Sequence, residues 1–136
     1  MNDFNAKIIE EFRANEGKVG GMFEGANMVL ITTIGAKSGQ TRTNPLVYLP
    51  DGERIVIIAS NGGADNHPAW FYNVKANPDI TVEVGTEKYE AKAEALESGS
   101  ERDELFARMA AINPGFAEYE KKTDRLIPVV ALYRKA

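Results

Sequence analysis

The sequence predicts a mainly β domain with added α-helices. The expected architecture is a sheet of about six antiparallel strands, curled into a barrel and flanked by helices. Three observations predict it. Short apolar runs recur along the chain, each bounded by Gly, Pro, Asn or Asp. The element order reads helix, three strands, helix, two strands, two helices, strand. Most strand-to-strand connections are therefore short, as in hairpins, and few are crossovers. The length of 136 residues suits one domain over 1–136, with 1–25 as an N-terminal helix and connector.

Phe4, Ile8, Ile9 and Phe12 recur at helical spacing, with Asn2 or Asp3 as a cap and Gly17 as a stop. The polar face carries acids against Lys7 and Arg13, so packing on a core or a partner is favoured over a membrane surface. Val19, Met22 and Phe23 anchor the connector that follows. The apolar run from Met28 to Thr33 predicts a strand, and Thr43 to Leu49 predicts its successor. Pro50-Asp51-Gly52-Glu53 predicts a turn lengthened beyond two residues, and Arg54 to Ser60 a strand apolar enough to be buried on both faces.

Gly62 and Gly63 mark a loop, and Asp65 or Asn66 is placed to cap a helix with Pro68 in its first turn. Pro78 stops that helix. Ile80 to Val84 and Lys88 to Leu96 alternate as strands. Ser98 and Ser100 each precede an acid by three residues (Glu101, Asp103), which predicts a capping box for a helix bearing Leu105, Phe106, Met109 and Ile112. Asn113-Pro114-Gly115 ends it, Phe116 to Thr123 forms a short second helix, and Ile127 to Arg134 a last strand with Pro128 near its start or on an edge.

Composition narrows the function. The net charge of −4 argues against nucleic-acid binding by a basic face. No cysteine and one histidine leave no thiolate or multi-histidine metal site, so no metal is expected. No apolar run reaches membrane-spanning length, and no leader pattern opens the chain. The cytoplasm is the expected compartment, with a peripheral place at the membrane surface left open.

Against this acidic background one cationic stretch stands out: Gly35-Ala36-Lys37-Ser38-Gly39-Gln40-Thr41-Arg42-Thr43-Asn44-Pro45-Leu46. If Gly35 and Gly39 take positive φ, successive N–H groups turn toward one point as an anion nest, with Lys37 and Arg42 beside it. The alternative is a solvated hairpin loop. Neither a P-loop nor a Gly-x-Gly-x-x-Gly is present. Pairing of 43–49 with 54–60 is expected to bring Arg42 near Asn61, and the helix after His67 to add N–H donors. A phosphate site beside Trp70 suits a nucleotide-like or flavin-like ligand.

Each piece also has a plain structural reading. The aromatics Trp70, Phe71 and Tyr72 are core, His67 is a capping or surface residue, Asn73 bonds a neighbouring carbonyl, and Ser60 is a turn residue. With one histidine there is no Ser/His/Asp set, and no carboxylate pair is singled out, so any redox chemistry falls to a bound cofactor.

Four blocks in order carry a resemblance: Gly35 to Leu46, Val56 to Gly63, His67 to Pro78, and Thr123 to Val129. Together the chain resembles the deazaflavin (coenzyme F420)-dependent nitroreductase and quinone reductase family. The resemblance implies a split β-barrel related to FMN-binding flavin-reductase and pyridoxamine-phosphate-oxidase barrels. It implies coenzyme F420, with a phosphate and a polyglutamate tail, as hydride donor to a quinone-like acceptor. By matched motif, Lys37, Ser38 and Arg42 would hold phosphate and tail, and Thr43, Asn44, Pro45 and Leu46 would line the cofactor.

On the same basis Ile58, Ala59, Ser60 and Asn61 would run along the ring, and Ala69, Trp70, Phe71, Tyr72 and Asn73 would close the site. Ser60, Phe116 and Tyr119 would meet the substrate. Nitroimidazole-activating members resemble Tyr-Pro-x-Tyr-x-x-Tyr, which here stands as Asn113-Pro114-Gly115-Phe116-Ala117-Glu118-Tyr119, so weak or no nitroimidazole reduction is expected. A non-catalytic deazaflavin carrier and an FMN-binding relative are the alternatives. A homodimer is open, as barrels of this type often pair.

Overall fold

The computed structural model describes residues 3–135. Its strands are β1 (Met28–Ile34), β2 (Thr41–Val47), β3 (Leu49–Asp51), β4 (Arg54–Ile58), β5 (Asp79–Val84), β6 (Glu87–Leu96) and β7 (Val129–Arg134). They make one antiparallel sheet in the order β2-β1-β5-β6-β7-β4-β3. The helices are α1 (Asp3–Ala14), α2 (Ala69–Ala76), α3 (Ser100–Ile112) and α4 (Gly115–Lys121), with 3-10 turns at Gly21–Phe23 and Asn61–Gly63.

The seventh strand arises because the run after Thr41 is interrupted at Tyr48. β2 pairs with β1, and β3 pairs with β4. This corrects the expected pairing of 43–49 with 54–60. β2 and β3 stand at the two ends of the sheet order, yet one residue separates them in the chain. The sheet must therefore curl until its ends approach, as in a barrel. Asp51 pairs with Arg54, so the hairpin turn is only Gly52-Glu53, with Gly52 at φ 64°. It is shorter than the sequence suggested.

Side-chain alternation assigns the strands to three packed layers. Val29, Ile31, Ile57, Val82, Val130 and Leu132 face one core that Trp70, Phe71 and Val74 of α2 complete. Val56, Ile58 and Val129 point the other way, under Leu105, Phe106, Met109 and Phe116 of α3 and α4. Met28 and Leu30 lie under Ile9 and Phe12 of α1. β1 and β4 are thus apolar without alternation because both faces are covered.

Helix starts depart from expectation. Pro68 is the N-cap of α2 rather than a first-turn residue, and no side chain caps it. Asp65 instead accepts a hydrogen bond from Thr123, and the Asn66 carbonyl accepts one from Asn61. α3 begins after Gly99 at φ 104° with no side-chain cap, so neither Ser98 nor Ser100 forms the capping box. The Asn2 cap of α1 lies outside the described residues. Ile112, placed by spacing on the apolar face of α3, is exposed, and Arg102 is buried instead. Arg102 donates to the Ile127 carbonyl at 3.0 Å and lies over the Phe106 ring. Pro128 precedes β7 and its carbonyl accepts from Ala59 N–H, while β7 itself is internal to the sheet.

Candidate functional site

An open cleft of about 1320 Å³ runs between the β1–β2 loop, the start of β2, the loop before α2, and α2 itself, with Asn5 of α1 at its border. Its cationic wall is the β1–β2 loop. Gly35 N–H donates to Gln40 O at 2.8 Å, and Gly39 N–H returns to Gly35 O at 3.0 Å. Gln40 N–H donates to Ser38 Oγ, and Ala36 N–H to Asn73 Oδ1. Those four amides are committed within the protein, and only Gly39 of the two glycines has positive φ. The expected anion nest is therefore not formed at these positions. Gly35 is favoured for another reason: a Cβ there would lie 2.5 Å from Ser38 Oγ and 3.2 Å from Gln40 O, so Ser38 would have to turn away from its bond to Gln40 N–H.

The loop offers anions its side chains instead. Lys37 and Arg42 line the cleft, and both are exposed. Among the described residues every arginine except Arg42 has a side-chain hydrogen bond or ion pair. Arg42 thus stands uncommitted, with five N–H donors available to a ligand.

Asn73 is buried and does more than bond a carbonyl. Its Oδ1 accepts from Ala36 N–H at 3.0 Å and its Nδ2 donates to Thr33 Oγ1 at 3.2 Å. One side chain thereby ties α2 to both the end of β1 and the cationic loop. The three successive aromatics take different places, as 3.6 residues per turn requires. Trp70 lines the cleft while packing into the core, and Tyr72 is half-exposed on the wall. Phe71 turns wholly into the core and is not part of the wall.

The other sequence-singled residues divide similarly. Ser38, Thr43, Asn44, Asn61 and Ala69 line the cleft; Pro45, Leu46, Ile58, Ala59 and Ser60 do not. Leu46 and Ala59 pack on the inner core, and Ile58 lies under α3 and α4. Phe116 and Tyr119 meet edge to face at 5.8 Å on α4, with Phe116 buried against α3. Neither ring lines the cleft; α4 packs on the Asn61–Gly63 turn, where a Cβ on Gly63 would lie 3.0 Å from the Tyr119 carbonyl.

Sequence reading gave Arg125 no role and His67 only a capping or surface one. Arg125, between α4 and β7, donates from Nε to Ala64 O (2.8 Å), from Nη2 to Ser60 O (2.7 Å) and from Nη1 to Ala59 O (3.3 Å). Nη1 also lies 2.9 Å from His67 Nδ1. The available signal was its position inside the last of the four blocks, Thr123 to Val129. Burial first, and then the charge of Arg125, hold the His67 imidazole below its ordinary pKa; Glu97 pulls the other way, and Lys75 adds a lesser push down.

No carboxylate lines the cleft among the described residues. Its walls offer cations, amides, hydroxyls, an imidazole and the half-exposed ring of Tyr72 beside the largely buried Trp70. That set binds and orients an anionic, planar ligand; it supplies no carboxylate pair for acid–base chemistry.

The fold is that of the split β-barrels. A pyridoxamine 5′-phosphate oxidase-type protein of Listeria innocua superposes with TM-score 0.58 at 11% identity, covering 98% of this chain and 95% of that one. A structure of an F420-H2 dependent reductase (FDR-A) superposes with TM-score 0.71 at 41% identity, over 78% of this chain and 93% of that one. A structure described as a domain-swapped dimer gives TM-score 0.73 at 37% identity, over 93% and 92% of the two chains.

An F420H(2)-dependent quinone reductase of Mycobacterium tuberculosis (strain H37Rv) is 35% identical over 130 residues, 91% of this chain and 85% of that protein. Residues 6–134 match the F420H(2)-dependent quinone reductase family, and the chain belongs to it. It is an oxidoreductase, and coenzyme F420 is its cofactor.

Proposed function

We propose that the protein holds reduced coenzyme F420 in the cleft and passes its reducing equivalents to a quinone-like acceptor, with weak or no nitroimidazole reduction. The observation that carries the reading is Arg42, uncommitted beside Lys37 at a cleft bordered by Trp70 and Tyr72. A phosphate and a chain of carboxylates need such free donors, and a planar ring needs an aromatic face. The cleft volume of about 1320 Å³ also exceeds the ~300–1,000 Å³ usual for drug-sized ligands, which suits a long cofactor.

When bound, reduced F420 supplies a hydride. The chain's residues do the rest. Lys37, Ser38 and Arg42 hold phosphate and tail. Thr43, Asn44, Pro45 and Leu46 form and back the wall that the ring lies on. Ile58, Ala59, Ser60 and Asn61 shape the strand end beneath it. Ala69, Trp70, Phe71, Tyr72 and Asn73 close the site and exclude water, Phe71 from behind. Ser60, Phe116 and Tyr119 do not line the cleft, and in this reading they back the acceptor end of the site from the Asn61–Gly63 turn and α4. Phe116 lacks the hydroxyl that a nitro group would accept from, which supports the weak nitroimidazole reduction. The protein acts in the cytoplasm, and the domain-swapped relative favours a homodimer.

Oxidation of reduced F420 by menadione, followed by absorbance with and without protein, tests this. Protein-dependent turnover is expected, with a bicyclic nitroimidazole turned over poorly in parallel. Tight binding without turnover would make the protein a carrier. Preferential binding of FMN in a paired titration would replace the cofactor assignment.

A further inference from the structure

Arg125 bears on the cleft through the only imidazole in the chain. Its guanidinium is fixed by the carbonyls of Ala59, Ser60 and Ala64, so it cannot swing away from His67. An arginine nitrogen only donates, so at 2.9 Å His67 Nδ1 must accept. An accepting Nδ1 carries no proton, and the single ring proton of the neutral form then sits on Nε2, directed away from Arg125. The ring is held in place by Phe71 at 4.7 Å and Tyr72 at 5.7 Å between centroids, and it forms part of the cleft wall.

The charges facing the ring agree with this state. Arg125 and Lys75 of α2 disfavour an imidazolium. Glu97, just after β6, favours one, but it is paired with Lys75 at 3.0 Å. Asp65 of the same loop is engaged by Thr123.

We propose that His67 is a fixed, neutral Nε2–H donor in the cleft wall, that Arg125 is the positioning residue that sets this tautomer, and that the donor meets a carbonyl oxygen of a planar ring ligand. The tautomer follows from Arg125 alone; the choice of ligand, coenzyme F420 or its quinone acceptor, rests on the proposed function.

With one histidine, long-range proton–nitrogen NMR reads the imidazole without ambiguity. The ligand-free protein should show a bare Nδ1 and a protonated Nε2 at neutral pH, with a titration midpoint below that of a free imidazole. A protonated Nδ1, or a midpoint at or above about 6.5, overturns the proposal. Arg125→Lys should give mixed tautomers, and Arg125→Gln should also raise the midpoint. If these variants fail to fold, the wild-type spectrum decides.

Oxidised F420 and menadione are then added separately, with binding followed by absorbance. The Nε2–H resonance should shift with one of them, which identifies the source of the oxygen. Binding of both without a shift removes the donor role. Binding of neither refutes the proposed function and leaves the inference to be judged on the tautomer alone. His67→Phe, which keeps a ring and loses the donor, should weaken the shifting ligand about tenfold, the scale of one net hydrogen bond. His67→Gln should recover part of that loss, and equal affinity in all three proteins counts against the proposal.

Discussion

Trp70 and Phe71 are neighbours in sequence with different roles, and the difference is a matter of helix phase. Phe71 is 1% exposed and wholly within the core, whereas Trp70 is 5% exposed and also borders the cleft. Phe71→Ala should cost about 3–5 kcal/mol of stability, the scale of large aromatic truncations, with cofactor affinity falling only as the fold loosens. Trp70→Ala should lower stability and cofactor affinity together. Melting of the ligand-free variants beside F420 titrations separates the two; full affinity in a folded Trp70→Ala protein would remove Trp70 from the wall. The sequence showed that three adjacent aromatics must diverge. It did not show which way, because the phase depends on where the helix starts, and Pro68 proved to be the cap rather than a first-turn residue. Asn73 was legible as polar in an apolar helix, but its partners come from β1 and the loop after it, 40 and 37 residues away.

At the scale of elements, the site depends on two joins. One is Asn73, holding α2 to the cationic loop. The other is the close approach of the Asn61–Gly63 turn to α4. Gly63 has φ 85°, and a Cβ there would meet Tyr119 O at 3.0 Å and Lys122 Cβ at 3.1 Å. Gly63→Ala therefore combines a left-handed backbone penalty with overpacking against backbone, together about 2–4 kcal/mol. Its melting temperature should fall, and F420 affinity should fall further than in Gly52→Ala, which meets nothing within 4 Å and lies at the far hairpin. A Gly63→Ala protein of unchanged stability would show that α4 and the turn move apart freely.

Hairpins and helices were legible because their signals are local, such as Asp51-Gly52 and Asn77-Pro78. Caps were less so. Ser98 and Ser100 satisfy the capping pattern, yet Gly99 takes the N-cap of α3 with a φ of 104° that it adopts readily. The amides of the β1–β2 loop are spent in closing the loop itself, which a pattern of two glycines does not reveal.

Across the whole molecule, antiparallel pairing was readable and sheet order was not. Order is set by pairings distant in sequence, such as β1 with β5 and β4 with β7. The decisive feature is Tyr48, a one-residue break that sends β2 and β3 to opposite ends of the sheet. Curling then delivers Arg42 and Asn61 to one cleft, the juxtaposition the sequence suggested, reached by closure rather than by direct pairing. The charge of the molecule makes that cleft selective. The chain carries a net −4, so an anionic cofactor is repelled by the protein as a whole and attracted within the cleft, chiefly by Lys37 and Arg42, since Lys75 there is paired with Glu97. Both side chains are exposed, and salt screens such charges over about 10 Å at 0.1 M. Cofactor affinity should therefore fall with added salt. Lys37→Ala and Arg42→Ala should each weaken binding by about 1.5–3 kcal/mol, the range for hydrogen bonds to charged groups, and the double variant should lose most of the salt dependence. Neither substitution touches a buried contact, so melting temperatures of the ligand-free proteins should hardly move. Titrations of F420 at low and high salt, with wild type and the double variant side by side, check all three statements; equal affinity in both proteins would make the loop a solvated turn with incidental charge.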